Sequence, residues 1–373
     1  LVGGLVHSRS VGDPFADEDP EIRGMRMRQG ITTTLELFER YDVAATFYAN
    51  GYALLPGNPS RTEFMGNPTY TWANRANQWT SDHWQMHPWF SADPYGNVLS
   101  HPAWYFADLV RPVLEAGHDI QSHTFSHFYG GFVRASDWHD DLNTWNKVAM
   151  QIGVQPARSL AFPWSSSGGM SDGSWQELAA AGMSSVTRLS NQGQYDLFGY
   201  NAAGMLEQPH CRPVPGHEAI LACPDAYVTP GTVAQALEQL ALVRLRSGMI
   251  DFWSHTEEVV TAEQQAAWEQ ILAAVVGPGD IWVAPLAEIA DWQQALAQVT
   301  LETQSPGADG GLQLRLYNGS ERRLEGLTLQ LPWSAGRVMV DGREIIETQG
   351  ATDQLIITID AGQTQEIAVW PAT

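Results

Sequence analysis

From the first residue to about Gln298, short apolar runs alternate with segments whose apolar residues fall at helical spacing. "LVGGLV" (1–6) reads as a buried strand, and "GITTTLELFERYD" (30–42) as a helix with Ile31, Leu35 and Phe38 on one face. "VAATFYA" (43–49) is strand-like, 103–116 is helical, and "HDIQS" (118–122) is strand-like again. The alternation continues through a helix near 137–152, strand 159–164 ("SLAFPW"), helix 172–182 and strand 184–189 ("SSVTRL"). After a long loop come helix 231–246, strand 249–255 ("MIDFWSH"), helix 261–275, strand 281–286 ("IWVAPL") and helix 287–297. About seven strand–helix units result, each strand too apolar to stand half exposed, as parallel strands buried on both faces require. An incomplete β/α barrel fits this pattern better than an open doubly wound sheet, although periodicity allows both.

After Gln298 the period changes from helical to two. "LQLRLYN", "LEGLTLQL", "GRVMVDG", "REIIET", "DQLIITID" and "TQEIAVW" alternate apolar and polar residues, with Gly, Asn and Asp between them. The chain is therefore expected to divide into an α/β domain over 1–298 and a small all-β, sandwich-like module over 299–373.

Composition narrows the function. A net charge of −22 argues against nucleic acid, whose phosphates demand clustered Lys and Arg, and against an anionic membrane surface or polyanionic substrate. No apolar run reaches the roughly 20 residues that span a bilayer, and no stretch resembles a signal peptide. Cys211 and Cys223, the 2 cysteines, form either one disulfide across a proline-rich loop or a pair of free thiols. The segment 51–105 carries Trp72, Trp79, Trp84, Trp89 and Trp104 and is too long for an ordinary connection, so it is expected to fold over the rim of the sheet. Its aromatic faces suit sugar rings, with Trp84 and Trp89 as candidate substrate contacts; the other reading is a satellite core covering the barrel.

In β/α barrels chemistry gathers at the carboxyl ends of the strands. His123 and His127 follow strand 118–122, Pro163 and Trp164 end strand 159–164, His255 closes strand 249–255, and Asp13 follows the first strand. Two histidines four apart, with one carboxylate and a water, would make an open tetrahedral zinc site; the bland alternative is a solvated loop. His255 is a general-acid candidate or else a core histidine satisfied by backbone. No P-loop, dinucleotide fingerprint or nucleophile elbow is present.

Taken together, these stretches resemble a known family. "GHDIQSHTFSH" resembles the histidine motif of polysaccharide deacetylases (the NodB-homology group, carbohydrate esterase family 4), and "RYDVAATFYANGYALL" the strand that precedes it there. "SLAFPWSSSGGMSDGSWQELAAAGMSSVTRL" resembles the proline–aromatic motif, and "MIDFWSHTEEVV" the late strand ending in the catalytic histidine. The resemblance covers about 1–297 and implies a distorted (β/α)7 barrel that removes acetyl groups from a glycan with one divalent metal, zinc by preference. It implies His123 and His127 as metal ligands and His255 as general acid; Asp13 is the nearest acid to serve as third ligand, and Trp164 joins Trp84 and Trp89 as the aromatic candidates for the substrate site.

The glycan substrate class implies a location outside the cell or in its envelope. Two departures stand out. Where the family has two aspartates after its first strand, this chain reads "LVHSRSVGDPFADEDPEIRG", with Ser8 and Ser10, or Ser10 and Gly12, at the matching positions. Ala161 replaces the arginine two residues before the motif proline, and the aspartate–tryptophan motif has no placed counterpart. These departures leave room for a non-catalytic relative that binds a glycan or metal, or for a hydrolase of another non-peptide C–N bond.

Overall fold

The computed structural model describes residues 19–62, 64, 93–191, 193–201, 205–206, 208–304, 311–345 and 352–372. The first strand expected at 1–6, Asp13, Trp84 and Trp89 lie outside the described residues. The chain divides into two compact units, the first ending at Ala287 and the second running from Glu288 to Thr373.

The first unit carries a curled half-barrel sheet. Its strands are β1 (Thr46–Ala49), β2 (Asp119–Ser122), β3 (Ser159–Ala161), β4 (Ser185–Thr187), β5 (Arg212–Val214) and β6 (His217–Ala222), in the order β1-β2-β3-β4-β6-β5. Pairs β1–β2, β2–β3, β3–β4 and β4–β6 are parallel, while β5 and β6 form an antiparallel hairpin. A separate parallel pair joins β7 (Asp225–Tyr227) to β8 (Asp251–Trp253). The strands predicted from sequence at 43–49, 118–122, 159–164, 184–189 and 249–255 all contain a strand, shorter than its apolar run. β5, β6 and β7 fall inside the stretch read as a long loop. There Pro213, Pro215 and Pro224 broke the pattern, and Cys211 and Cys223 are bonded to each other across the hairpin. The run 281–286 is not a strand: Pro285 has no amide to give and Trp282 is half exposed, though Leu286 N–H reaches Thr46 Oγ1 at 3.0 Å.

The helices are α1 (Pro20–Arg40), α2 (Ala107–Glu115), α3 (Ala135–Gln151), α4 (Asp172–Ala180), α5 (Val233–Arg246), α6 (Ala262–Val276) and α7 (Leu286–Leu296). α1 begins ten residues before the apolar stripe that predicted it. Asp19 caps it by accepting the Glu21 N–H, and Pro20 opens its first turn. The arginine-rich start hid this helix from the hydrophobic pattern. α3 buries Trp138, Leu142, Trp145, Val148 and Ala149 along one face, and the Trp145 indole donates to Ala49 O at the end of β1 (2.8 Å). That bond fixes α3 against the edge of the sheet where the histidines emerge. Within the described residues no helix is long and apolar enough to cross a membrane.

The second unit is an antiparallel sheet of β9 (Val299–Gln304), β10 (Leu312–Asn318), β11 (Leu324–Val340), β12 (Arg343–Glu344), β13 (Thr352–Ile359) and β14 (Thr364–Pro371). The long β11 pairs with β13 over its first half and with β14 over its second, shifting register near Ala335. Burial in β11 keeps a period of two only from Leu327 to Ala335; the register shifts on either side bring Leu324 and Val338 inward out of phase, and these residues join Leu316, Ile357 and Val369 in one core.

Two glycines let α1 lie flush on its neighbours. A Cβ at Gly24 would overlap the Ala103 carbonyl oxygen, and one at Gly30 the Thr256 carbonyl oxygen, next to His255. Helix propensity alone favours Gly30→Ala by about 1 kcal/mol. The backbone carbonyl it would strike cannot rotate away, and overpacking of this kind costs about 1–3 kcal/mol. Gly30→Ala is therefore expected to destabilise the protein in urea unfolding; a stabilised variant would show that α1 and the His255 loop are not in contact.

Candidate active site

The carboxyl ends of β1 to β4 form one rim. His123 follows β2 directly, and its N–H donates to Ala49 O at the end of β1 (3.0 Å). Gly51 N–H then bonds Thr124 O (3.0 Å), so the loops after β1 and β2 are laced together. Asp141 of α3, fully buried, accepts the N–H groups of Phe125 (2.6 Å) and Ser126 (3.0 Å) and the Ser126 hydroxyl (2.7 Å). From the next loop, Ser166 accepts Gly130 N–H on its hydroxyl (2.6 Å) and Gly131 N–H on its carbonyl (2.8 Å). The Trp164 indole donates to His127 O (3.2 Å).

The turns are sharp. Thr124, His127, Trp164, Ser165 and Arg188 all have φ between 48° and 61°, each just past the end of β2, β3 or β4. Non-glycine residues held there cost of order 1–3 kcal/mol each, and such strain gathers where side chains must be aimed. β3 stops at Ala161 because Pro163 cannot extend the ladder. Trp164 thus sits in a 3-10 turn, not in the strand predicted over 159–164.

His123 and His127 are buried, with ring centroids 4.7 Å apart, and Trp164 packs edge-on against His127 at 4.8 Å. His123 Nδ1 lies 2.8 Å from Ala161 O, which leaves Nε2 to face a ligand. His127 Nδ1 is buried with no hydrogen-bond partner. Burial and the neighbouring imidazole hold His123 well below the usual imidazole range, and burial with the charge of His255 does the same for His127. Both are therefore neutral near pH 7, the form that binds metal. An orphaned ring nitrogen beside an imidazole oriented by a backbone carbonyl fits a divalent metal's two-histidine half-site. Among the described residues no group of three or more His, Cys, Asp and Glu completes it.

His255 follows β8. Its N–H donates to Glu258 Oε2 (3.0 Å) and its Nδ1 lies 3.2 Å from Glu258 Oε1. Tyr227 O–H donates to the same Oε1, and its ring stacks on Trp253 with centroids 4.2 Å apart. The Trp253 indole donates to Asp225 Oδ2 (2.7 Å), and the Arg188 guanidinium lies over its other face, 3.4 Å from the centroid. Arg188 also reaches Ser165 Oγ (3.1 Å) and approaches Asp225 (4.0 Å), while Thr187 donates to Asp251 (2.7 Å). Burial pushes the Asp251 carboxyl up to about 6, with the Thr187 bond opposing. Burial also raises Asp225, against the pull of Arg188. The adjacent Glu257 is buried and takes a bidentate bond from Arg23 of α1 (2.7 and 2.6 Å), which pins the His255 loop to that helix.

Thus His123, His127 and Trp164 meet, and His255 lies within electrostatic reach of His127. Sequence reasoning missed Arg188, Asp225, Trp253, Tyr227 and Glu258. A lone arginine closing the apolar "SSVTRL" and an acid three residues after His255 were the available signals. Arg158, the other arginine near the departed motif, is exposed.

Residues 17–186 match the family model described as polysaccharide deacetylase. His255 lies beyond the match. Among solved structures, a candidate polysaccharide deacetylase from Mycobacterium smegmatis is 14% identical (79% of this chain, 91% of that one, TM-score 0.48). The PuuE allantoinase is 12% identical (71% and 72%, TM-score 0.44). A carbohydrate esterase family 4 pseudoenzyme from Bacillus anthracis is 13% identical (78% and 65%, TM-score 0.36). No curated protein matches.

Burial pushes the Asp141 carboxyl from 3.8 up to about 6, against its three hydrogen bonds. Between those values the folded chain holds a proton that the unfolded chain has released. The associated stability is present below about pH 4 and lost as the pH rises through 6. Relative to Asp141→Asn, the parent should lose about 2–3 kcal/mol of unfolding free energy between pH 4 and 7. Urea titrations at four pH values check this, and a pH-independent difference would refute it.

Proposed function

We propose that this chain removes acetyl groups from a polysaccharide or related glycan, with one divalent metal, zinc by preference, held by His123 and His127. The observation that carries the reading is the buried, unpartnered Nδ1 of His127 against the ring of His123. A neutral buried imidazole nitrogen left unpaired costs about 1–3 kcal/mol, a cost that a ligand removes. When bound, the metal would polarise the acetyl carbonyl. Asp13 is the candidate third ligand, from the chain ahead of α1. His255 gives a proton to the departing amine or alcohol, and the partly buried Trp164 offers an aromatic surface to the sugar beside His127. A wall or capsule glycan as substrate places the protein outside the cell or in its envelope.

A second reading is a glycan-binding protein without turnover. It is favoured by Ser8, Ser10 and Gly12 standing where the family carries aspartates, and by the absence of a third ligand among the described residues.

Metal content and acetate release, measured on untagged protein, separate the two. The parent should hold about one equivalent of zinc or a similar metal, lost in His123→Ala, His127→Ala and Asp13→Ala. His255→Ala should keep the metal and lose turnover by roughly 10²–10⁴-fold. Equal metal content in all five proteins would sink the assignment. No metal and no acetate release, with glycan binding retained, would establish the second reading.

A further inference from the structure

We propose that Glu258 is a positioning residue for His255, an inference that rests on the reading of His255 as the proton donor. The Glu258 carboxylate fixes the neutral imidazole as its Nδ1–H tautomer and leaves Nε2 as the atom that exchanges a proton with substrate.

Glu258 lies three residues after His255, at the end of the 3-10 turn Thr256–Glu258. A capping carboxylate at that spacing needs only one oxygen, and here Oε2 serves by accepting the His255 N–H. Oε1 has a different task. It faces His255 Nδ1 and also accepts the Tyr227 hydroxyl. A carboxylate is acceptor-only, so the ring atom facing it is the one that carries the proton. Burial pushes the Glu258 carboxyl up, but the hydrogen bond and charge of His255 and the Tyr227 hydroxyl outweigh it, and the group stays below its usual range.

The surroundings fix the ring as well. Trp253 and Tyr227 meet the imidazole edge-on, at 5.4 Å and 6.0 Å between centroids. Those two rings are locked by their own stacking, by the Trp253 bond to Asp225, and by Arg188 on the far face of the indole. Glu257, next in sequence, is committed to Arg23 on α1. The two adjacent glutamates therefore divide the work: one anchors the loop and the other holds the imidazole.

The test needs no substrate. Protein labelled with ¹⁵N-histidine is examined by long-range ¹H–¹⁵N correlation at a pH where imidazoles are neutral, with the His255 signals assigned from His255→Gln. The parent should show a protonated Nδ1 and an unprotonated Nε2. Glu258→Gln should give a mixture of tautomers or the reverse one, and Tyr227→Phe a smaller shift the same way. Glu258→Asp should restore part of the parent pattern, and it carries the test if the glutamine variant fails to fold.

An unchanged tautomer in a folded Glu258→Gln would overturn the proposal. Where acetate release is measurable, the glutamine variant should lose kcat on the order of 10- to 100-fold with KM unchanged within about twofold. A tautomer shift in Glu258→Gln together with a parent that releases no acetate would refute the deacetylase reading and leave the positioning role intact.

Discussion

One buried carboxylate holds the functional edge together. Asp141 reaches from α3 to the chain between the two histidines and takes two backbone amides and a hydroxyl. Without it, Phe125 and Ser126 would bury unpaired N–H groups, and the turn that places His123 and His127 face to edge would have no reason to persist. α3 is held in turn by Trp138 and Trp145, both fully buried and both donating to backbone carbonyls. The pairing of the two histidines is thus a by-product of how one helix docks.

Much of this was legible in the sequence because apolar runs are honest about burial. The strands after which His123 and Trp164 emerge are apolar runs that the structure buries, whereas the apolar run before His255 forms β8, which is only half-buried. The family resemblance carried by the first two of those runs agrees with the match over 17–186, which ends before the His255 stretch. What stayed hidden had physical causes. The hairpin of β5 and β6 is built across prolines and a disulfide, so its pattern read as loop. Helix α1 begins among arginines that pair with Asp108 and Glu257, and so it lacks an apolar stripe at its start. Arg188, Asp225 and Glu258 come from three separated stretches, and no local spacing announces that they meet.

The charge arrangement around Arg188 follows from the same crowding. A largely buried guanidinium needs anions, and Asp225 and Asp251 supply them. Burial raises both acids against the pull of Arg188, while the imidazoles across the rim are kept neutral. The chain has placed an arginine at the end of β4 although the family's position before the motif proline is filled by Ala161.

The rim belongs to two sheets, not one. His123, His127, Trp164 and Arg188 extend from the six-stranded sheet, whereas Trp253 and His255 extend from the β7–β8 pair. Side chains bridge the seam: Thr187 to Asp251, and Arg188 to Trp253 and Asp225. The chain ties the seam as well, since only Cys223 and Pro224 separate β6 from β7 and Cys223 is bonded to Cys211. Stiffness at the seam, set by a threonine hydroxyl and a guanidinium lying on an indole, therefore governs how sharply the two halves are held in register.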